Sequence, residues 1–181
     1  MKIIDPVLLS QSLIKCKSVT PKDDGAINLL TNNLNSLGFS CHNLIFGQAN
    51  SQVNNLYALH NPHNYQNILC FAGHTDVVPA GDEKKWQCDP FEAKIIDGYL
   101  VGRGAVDMKV AICCFIAALS RFLQEEDPKF GISLMITGDE EAQAINGTIK
   151  IMQWMKENNH HISDCIIGEP TSDDKIGDMA K

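Results

Sequence analysis

The sequence lacks several features that would each point to a particular class of protein. It has no apolar run close to the ~20 residues that a membrane-spanning helix requires. Its first residues show no basic start followed by an apolar core and a small-residue cleavage site, which a secretory signal would have. No basic run is present either, and the net charge is -7 with a pI near 5.2. We therefore expect a cytoplasmic protein without membrane or nucleic-acid partners.

The sequence also lacks a Cys-x-x-Cys pair, internal repeats and low-complexity segments. Its seven cysteines are an odd number, and several lie inside apolar runs. This pattern predicts reduced core cysteines rather than a disulfide framework or a zinc ribbon. A chain of 181 residues that is 44% hydrophobic and 20% charged is long enough to fold around a normal core.

Apolar periodicity predicts helices that alternate with short apolar strands. An Asp-Gly pair at residues 97–98 lies between two apolar pairs, which predicts a hairpin over residues 95–101. The pattern indicates an α/β fold with a mixed, mostly parallel β-sheet sandwiched between helices. Helices are expected at about 5–17, 23–37, 109–125 and 147–158, with strands at about 39–46, 54–60, 67–73, 132–137 and 165–167.

Polar and acidic residues follow three of the predicted strands in a recurrent way. Each strand ends in glycine, followed by His74, by Asp139-Glu140-Glu141, or by Glu169. Asp107 follows the hairpin and precedes an apolar helix. Ligands of open α/β sheets bind beyond the carboxyl ends of the strands, so these groups are expected to meet at one edge.

An imidazole with several carboxylates and no thiolate suits Zn²⁺ or a similar divalent ion in a catalytic site. Asp76 lies two residues after His74 and could accept one imidazole N–H, which leaves the other nitrogen as a ligand. Glu140 and Glu141 would have different roles, one as a ligand and one as a base. For each motif alone the alternative is structural: a turn with a solvated histidine, a helix N-cap at Asp107, or a solvated Glu-Glu turn.

Four motifs, in order and spacing, resemble the dinuclear zinc aminoacylase and carboxypeptidase family called M20. The intervals from His74 to Asp107, to Glu141 and to Glu169 are 33, 34 and 28 residues. The motifs are Gly-His-Thr-Asp-Val-Val-Pro at 73–79, Gly-Arg-Gly-Ala-Val-Asp-Met-Lys at 102–109, Gly-Asp-Glu-Glu at 138–141 and Gly-Glu-Pro-Thr at 168–171.

The resemblance implies a role for each matching residue. His74 and Glu169 would bind one zinc and Glu141 the other, with Asp107 bridging them. Asp76 would orient His74. The implied cofactors are two Zn²⁺ ions per complete site, with Co²⁺ possible at one.

The implied reaction is hydrolysis of an amide, in which the metal ions activate a water molecule and Glu140 acts as general acid and base. The family often has a cis peptide after the bridging aspartate, which here would join Asp107 and Met108. Residues 82–91, 146–148 and 171–172 favour a small N-acyl diamino acid as substrate, N-succinyl-L,L-2,6-diaminopimelate, whose hydrolysis serves lysine and cell-wall precursor synthesis. Acetylornithine or another N-acyl amino acid is the alternative substrate.

Family members are about twice this length, which implies that residues 1–181 are the N-terminal portion of a catalytic zinc-binding domain. Residues 177–181 would lead into an inserted dimerisation domain, so the full-length form is expected to be a homodimer. A second histidine ligand has no candidate here, because His42, His60 and His63 lie in loop-like contexts before the first motif and His160-His161 end a polar helix. We expect this chain alone to bind metal without turnover. The alternative is a non-catalytic metal-binding module.

Overall fold

Helix α1 (Pro6–Lys15) begins where the sequence places a cap and a proline. The side chain of Asp5 accepts the main-chain N–H of Val7 and Leu8, and Pro6 occupies the first turn, where no N–H is needed. The structure is a computed structural model that describes residues 3–49, 51–172 and 174–175. Residues 177–181, expected to lead into an inserted domain, lie outside that range.

The described residues contain three further long helices and seven strands, close to the predicted positions. The helices are α2 (Ala26–Ser36), α3 (Val110–Glu125) and α4 (Thr148–Glu157). The strands are β1 (Ser40–Phe46), β2 (Val53–His60), β3 (Ile68–His74), β4 (Lys94–Ile96), β5 (Tyr99–Val101), β6 (Gly131–Thr137) and β7 (Asp164–Ile167).

Five of the strands form one mixed sheet in the order β1-β2-β6-β3-β7. β1 with β2 and β2 with β6 are antiparallel, whereas β6, β3 and β7 run parallel to one another. β4 and β5 pair separately as the predicted hairpin, with Asp97 and Gly98 at positive φ in its turn. The carboxyl ends of β3, β6 and β7 therefore lie at the same edge of the sheet.

Helices cover both faces of the sheet, as predicted. Because side chains alternate along a strand, the inner strands β2, β3 and β6 each contribute to two separate cores. α1, α2 and α3 pack on one face in a large cluster that includes Leu56, Phe71 and Leu134. α4 packs on the other face against Tyr57 and Met135.

Several local predictions need correction. α2 begins at Ala26 rather than near Asp23, because Gly25 takes a left-handed conformation before the helix, although Asp23 still caps it by accepting the N–H of Ile27. All seven cysteines are free, as predicted, but only Cys70 and Cys113 are buried. No helix in the described part of the chain combines the length and hydropathy needed to cross a membrane.

Candidate metal centre

His74 is the last residue of β3 and is only 1% exposed. Its Nδ1 lies 2.9 Å from the main-chain oxygen of Asp76 and 3.6 Å from a carboxylate oxygen of the same residue. A carbonyl oxygen can only accept, so Nδ1 carries the proton and donates. The Nε2 atom therefore faces the edge of the sheet as the ligand nitrogen.

Three carboxylates surround Nε2 of His74. Oδ1 of Asp107 lies 3.1 Å away, Oε1 of Glu169 3.2 Å and Oε2 of Glu140 3.8 Å. These acids follow the hairpin, β7 and β6, as the sequence predicts. The sheet thus brings together residues that are far apart in the chain.

The acids around His74 favour positive charge at this point. Burial alone would lower the pKa of the imidazole, but the hydrogen bond and charge of Asp76, with the charge of Glu169, outweigh it and raise the pKa from 6.5 to about 9. A divalent cation would supply the same positive charge in place of the Nε2 proton. The electrostatics of the site therefore fit a bound cation.

Two overlapping sets of residues could hold a metal ion. In His74, Asp107 and Glu141, one ligand atom from each lies within 4.8 Å of the others, and the same holds for His74, Glu140 and Glu169. Nitrogen and oxygen donors without sulfur suit Zn²⁺ in a catalytic site, so the donor set fits the predicted metal. How the acids divide between two ions stays a prediction.

The carboxylate of Asp76 has a further set of contacts that the sequence did not indicate. It accepts the main-chain N–H of Glu140 at 3.2 and 3.1 Å and that of Glu141 at 2.9 Å. Asp76 is therefore linked to the acidic loop as well as to His74. The contact joins residues 64 and 65 positions apart, which periodicity cannot reveal.

Asp107 lies in a tight turn, Ala105–Lys109, that begins after the left-handed Gly104 and continues into α3. The peptide bond between Asp107 and Met108 is cis, as the family resemblance implies. At the end of the turn the buried Nζ of Lys109 donates to the carbonyl oxygens of Leu13 at 3.2 Å and Cys16 at 2.7 Å, which lie at the C-terminus of α1. The turn is thereby attached to a neighbouring helix.

Asn55 supports the acidic loop and was missed by sequence reasoning. Its side chain is fully buried, accepts from Thr137 Oγ1 and from the N–H of Gly138, and donates to the carbonyl oxygen of Asn146 at 3.0 Å. It therefore connects both ends of the loop that carries Glu140. An asparagine inside an apolar strand was the available signal.

Among the described residues, His74 is the only histidine in the two candidate ligand sets. The other histidines lie elsewhere in the structure. The predicted loop contexts of His42 and His60 are wrong, because these residues lie on β1 and β2. His42 and His160 instead pack against Trp154, with ring centroids 4.9 and 5.2 Å apart.

Comparison with known proteins defines the class to which this fold and site belong. Residues 70–181 match the model of peptidase family M20/M25/M40. This match covers more than half of the chain, so the protein belongs to that family.

Individual relatives match the chain over nearly its whole length. The chain is 54% identical over 180 residues to a succinyl-diaminopimelate desuccinylase of Ehrlichia chaffeensis, and 50% identical over 179 residues to one of Rhodospirillum centenum. Each alignment covers 98% of this chain and 46% of the relative. The chain thus spans about half the length of the curated relatives it matches.

Solved structures share the fold at low sequence identity. Human carnosine dipeptidase 1 superimposes with a TM-score of 0.77 at 23% identity, over 91% of this chain and 38% of the other. A metallo-carboxypeptidase of the M20 family from Sulfolobus solfataricus gives 0.76 at 21% identity, over 93% and 37%. The predicted α/β fold is confirmed by these similarities.

Proposed function

We propose that this chain carries the metal-binding part of the active site of a succinyl-diaminopimelate desuccinylase. The complete protein would hydrolyse N-succinyl-L,L-2,6-diaminopimelate to succinate and L,L-2,6-diaminopimelate. The observation that carries the proposal is the buried His74 with three acids around its Nε2, in a chain 54% identical to a protein of that name.

In this proposal His74, Asp107, Glu141 and Glu169 hold two Zn²⁺ ions, with Co²⁺ able to replace one. Bound metal would polarise the scissile amide and lower the pKa of a water molecule. The chain's own contribution is to hold the four ligands at one sheet edge. Asp76 keeps the Nδ1 proton of His74 in place, which directs Nε2 toward the metal.

Glu140 is proposed as the general acid and base. Its side chain is 45% exposed, compared with 34% for Asp107 and 18% for Glu169. A group that takes a proton from water and gives it to a leaving amine must reach both, so the most exposed of these three acids suits the role. The link from Asp76 to its main-chain N–H holds it beside the ligands.

The proposal places residues 1–181 in the N-terminal portion of the catalytic domain, because the relatives are about twice as long. The whole protein would be a cytoplasmic homodimer that serves lysine and cell-wall precursor synthesis. Its substrate would be a small acylated amino acid.

Two single-atom substitutions test the site. Zn²⁺ is titrated calorimetrically into the wild-type chain, Glu141→Gln and Glu140→Gln. We expect Glu141→Gln to weaken binding by at least about tenfold, because an amide is a poorer ligand than a carboxylate, and Glu140→Gln to change it by less than about threefold. Absence of zinc binding by the wild-type chain would contradict the assignment.

The substrate is tested on the complete protein that contains this chain, with succinate and acetate release measured from N-succinyl-L,L-diaminopimelate and N-acetylornithine. Faster release of succinate supports the proposal. Faster release of acetate would transfer the protein to the deacetylases of the same family. The same complete protein with Glu140→Gln serves as the control for metal-dependent hydrolysis.

A further inference from the structure

Met108 is the neighbour of Asp107 and lies next to the candidate metal centre, but it is not one of the candidate ligands. It follows Asp107 in the turn Ala105–Lys109, and its side chain is fully buried. The side chain extends away from the exposed edge into the larger core, among residues of β3 and α3. Its position is therefore set by packing within this core.

The methyl group of Met108 contacts the main chain at two other ligand-bearing segments. A Cβ atom placed on Gly73 would lie 2.6 Å from Met108 Cε and 3.1 Å from its sulfur. A Cβ atom placed on Gly168 would lie 2.9 Å from the same Cε. These approaches are closer than a real Cβ atom makes without a shift, so a side chain at Gly73 would displace the Met108 methyl group, and one at Gly168 would displace it together with the Phe71 ring, whose Cζ would lie at 2.7 Å.

The two glycines have a shared relation to the site, because Gly73 immediately precedes His74 and Gly168 immediately precedes Glu169. These two glycines lie on adjacent segments joined by main-chain pairing, with the N–H of Gly168 donating to the carbonyl oxygen of Ala72, and one methyl group packs against both. The peptide bond that follows the third ligand, Asp107, leads directly to the same methionine. Three of the proposed ligands thus share a single packing contact.

We propose that Met108 is a positioning residue that sets the place of Asp107 relative to His74 and Glu169. This inference rests on the proposed metal centre and adds to it the residue that determines its geometry. A methionine suits the position because its unbranched side chain can reach across two adjacent main chains. Main-chain pairing holds β3 and the segment after β7 together, so removing the methyl group would let the Asp107 turn shift against them, and the ligands would no longer converge.

The test compares Met108→Ala with a matched variant, Met155→Ala. Met155 is also buried, at 5% exposure, but belongs to the core on the opposite face of the sheet. Zn²⁺ affinity is measured by calorimetry on folded protein, and Co²⁺ absorption spectra report the coordination geometry. We expect Met108→Ala to weaken zinc binding by about tenfold or more and to alter the cobalt spectrum, as loss of a residue that orients ligands does. Met155→Ala should lower stability while changing affinity by less than about twofold.

A second variant keeps the test decisive if Met108→Ala does not fold. Met108→Leu conserves volume, and such exchanges usually cost less than about 1.5 kcal/mol of stability. Its branched, shorter side chain cannot place one methyl against both glycines, so we expect zinc affinity to fall about fivefold or more. Adding Gly73→Ala to Met108→Ala should recover part of the affinity, since the new Cβ occupies space that the methionine methyl leaves.

Wild-type affinity and an unchanged cobalt spectrum in folded Met108→Ala or Met108→Leu would overturn the inference. If Glu141→Gln still weakened zinc binding in that case, the proposed metal centre would stand and only the role of Met108 would fail. If the wild-type chain bound no zinc, both would fail together.

Discussion

Both carboxylate oxygens of Asp76 lie within hydrogen-bonding distance of the main-chain N–H of Glu140, at 3.2 and 3.1 Å. One of them also accepts the N–H of Glu141 at 2.9 Å. Asp76 is only 1% exposed, so its charge depends on these donors and on His74 for stabilisation. The carboxylate joins the end of β3 to the loop after β6.

Replacement of Asp76 by alanine should affect both stability and metal binding. Two part-buried N–H groups would lose their acceptor, so we expect the free energy of unfolding to fall by about 2 kcal/mol. Zinc affinity should fall by about tenfold or more, because His74 and the acidic loop would no longer be held together. Urea unfolding and zinc calorimetry measure the two effects. Asp82→Ala is the control: Asp82 caps a short exposed helix, so it should cost less than about 1 kcal/mol and leave affinity unchanged.

Asn55→Ala should release the acidic loop from the sheet. The substitution removes the acceptor of Thr137, in a buried contact, and the part-buried contacts with Gly138 and Asn146. We expect a loss of about 3 kcal/mol in urea unfolding and faster hydrogen exchange over residues 138–147. Asn43→Ala removes one exposed side-chain contact, with Thr31, and should cost less than about 1 kcal/mol. Equal losses for both variants would contradict the supporting role of Asn55.

Lys109→Met should detach the Asp107 turn from α1. Burial lowers the pKa of Lys109 from its usual 10.5 to about 8, and its Nζ donates to two carbonyl oxygens at the end of α1. Methionine fills the space but removes the Nζ donor from both oxygens, leaving the Cys16 oxygen with the hydroxyl of Ser18 at 3.2 Å, which should cost about 2 kcal/mol. Thermal and urea unfolding provide the measurement. Lys156→Met on the exposed side of α4 should be within about 0.5 kcal/mol of wild type.

Stability should fall at high pH in a way that depends on Cys113. Burial raises the pKa of this thiol from its usual 9.0 to about 12, with a smaller opposing effect of a hydrogen bond with Ser10. The folded chain thus retains a proton that the unfolded chain releases, so this contribution to stability is complete below about pH 9 and is lost as the pH rises toward 12.

We expect the Cys113 contribution to fall by about 1 kcal/mol between pH 8 and pH 10, measured by urea unfolding under reducing conditions. Cys113→Ala should flatten this pH dependence. Cys114→Ala should keep it, because the neighbouring thiol is exposed. Identical pH slopes for wild type and Cys113→Ala would show that other groups cause the effect.

The approximate ends of the helices and strands, and the candidate ligands, could be predicted because each depends on residues close together in the sequence. Gly73-His74 and Gly168-Glu169 each follow an apolar strand, and parallel strands bring such ends together whatever the intervening sequence. The sequence could not show that the methyl group of Met108 packs against both of these glycines, because that contact depends on the folded structure.

Other features depend on contacts between distant residues. Asp76 was predicted to orient His74 through its carboxylate, but its main-chain oxygen is closer to the ring, and the carboxylate mainly accepts from the acidic loop. Asn55 belongs to no motif, and the partners through which it supports the acidic loop are more than 80 residues away. Its place in an apolar strand signals a buried polar group, but a single sequence does not show which residues that group contacts.

The position of β3 between β6 and β7 has a consequence for how the site forms during folding. β3 pairs with β6, where Ile68 lies opposite Gly131, and with β7, where Leu69 lies opposite Asp164. His74, Glu141 and Glu169 can meet only after β3 has paired with β6 and β7. Pairing closes the long chain segments between these strands, which is a slow and entropically costly step. The proposed metal would therefore bind after the sheet has formed rather than gather its ligands from the unfolded chain. We expect added zinc to slow unfolding of the chain far more than it accelerates refolding.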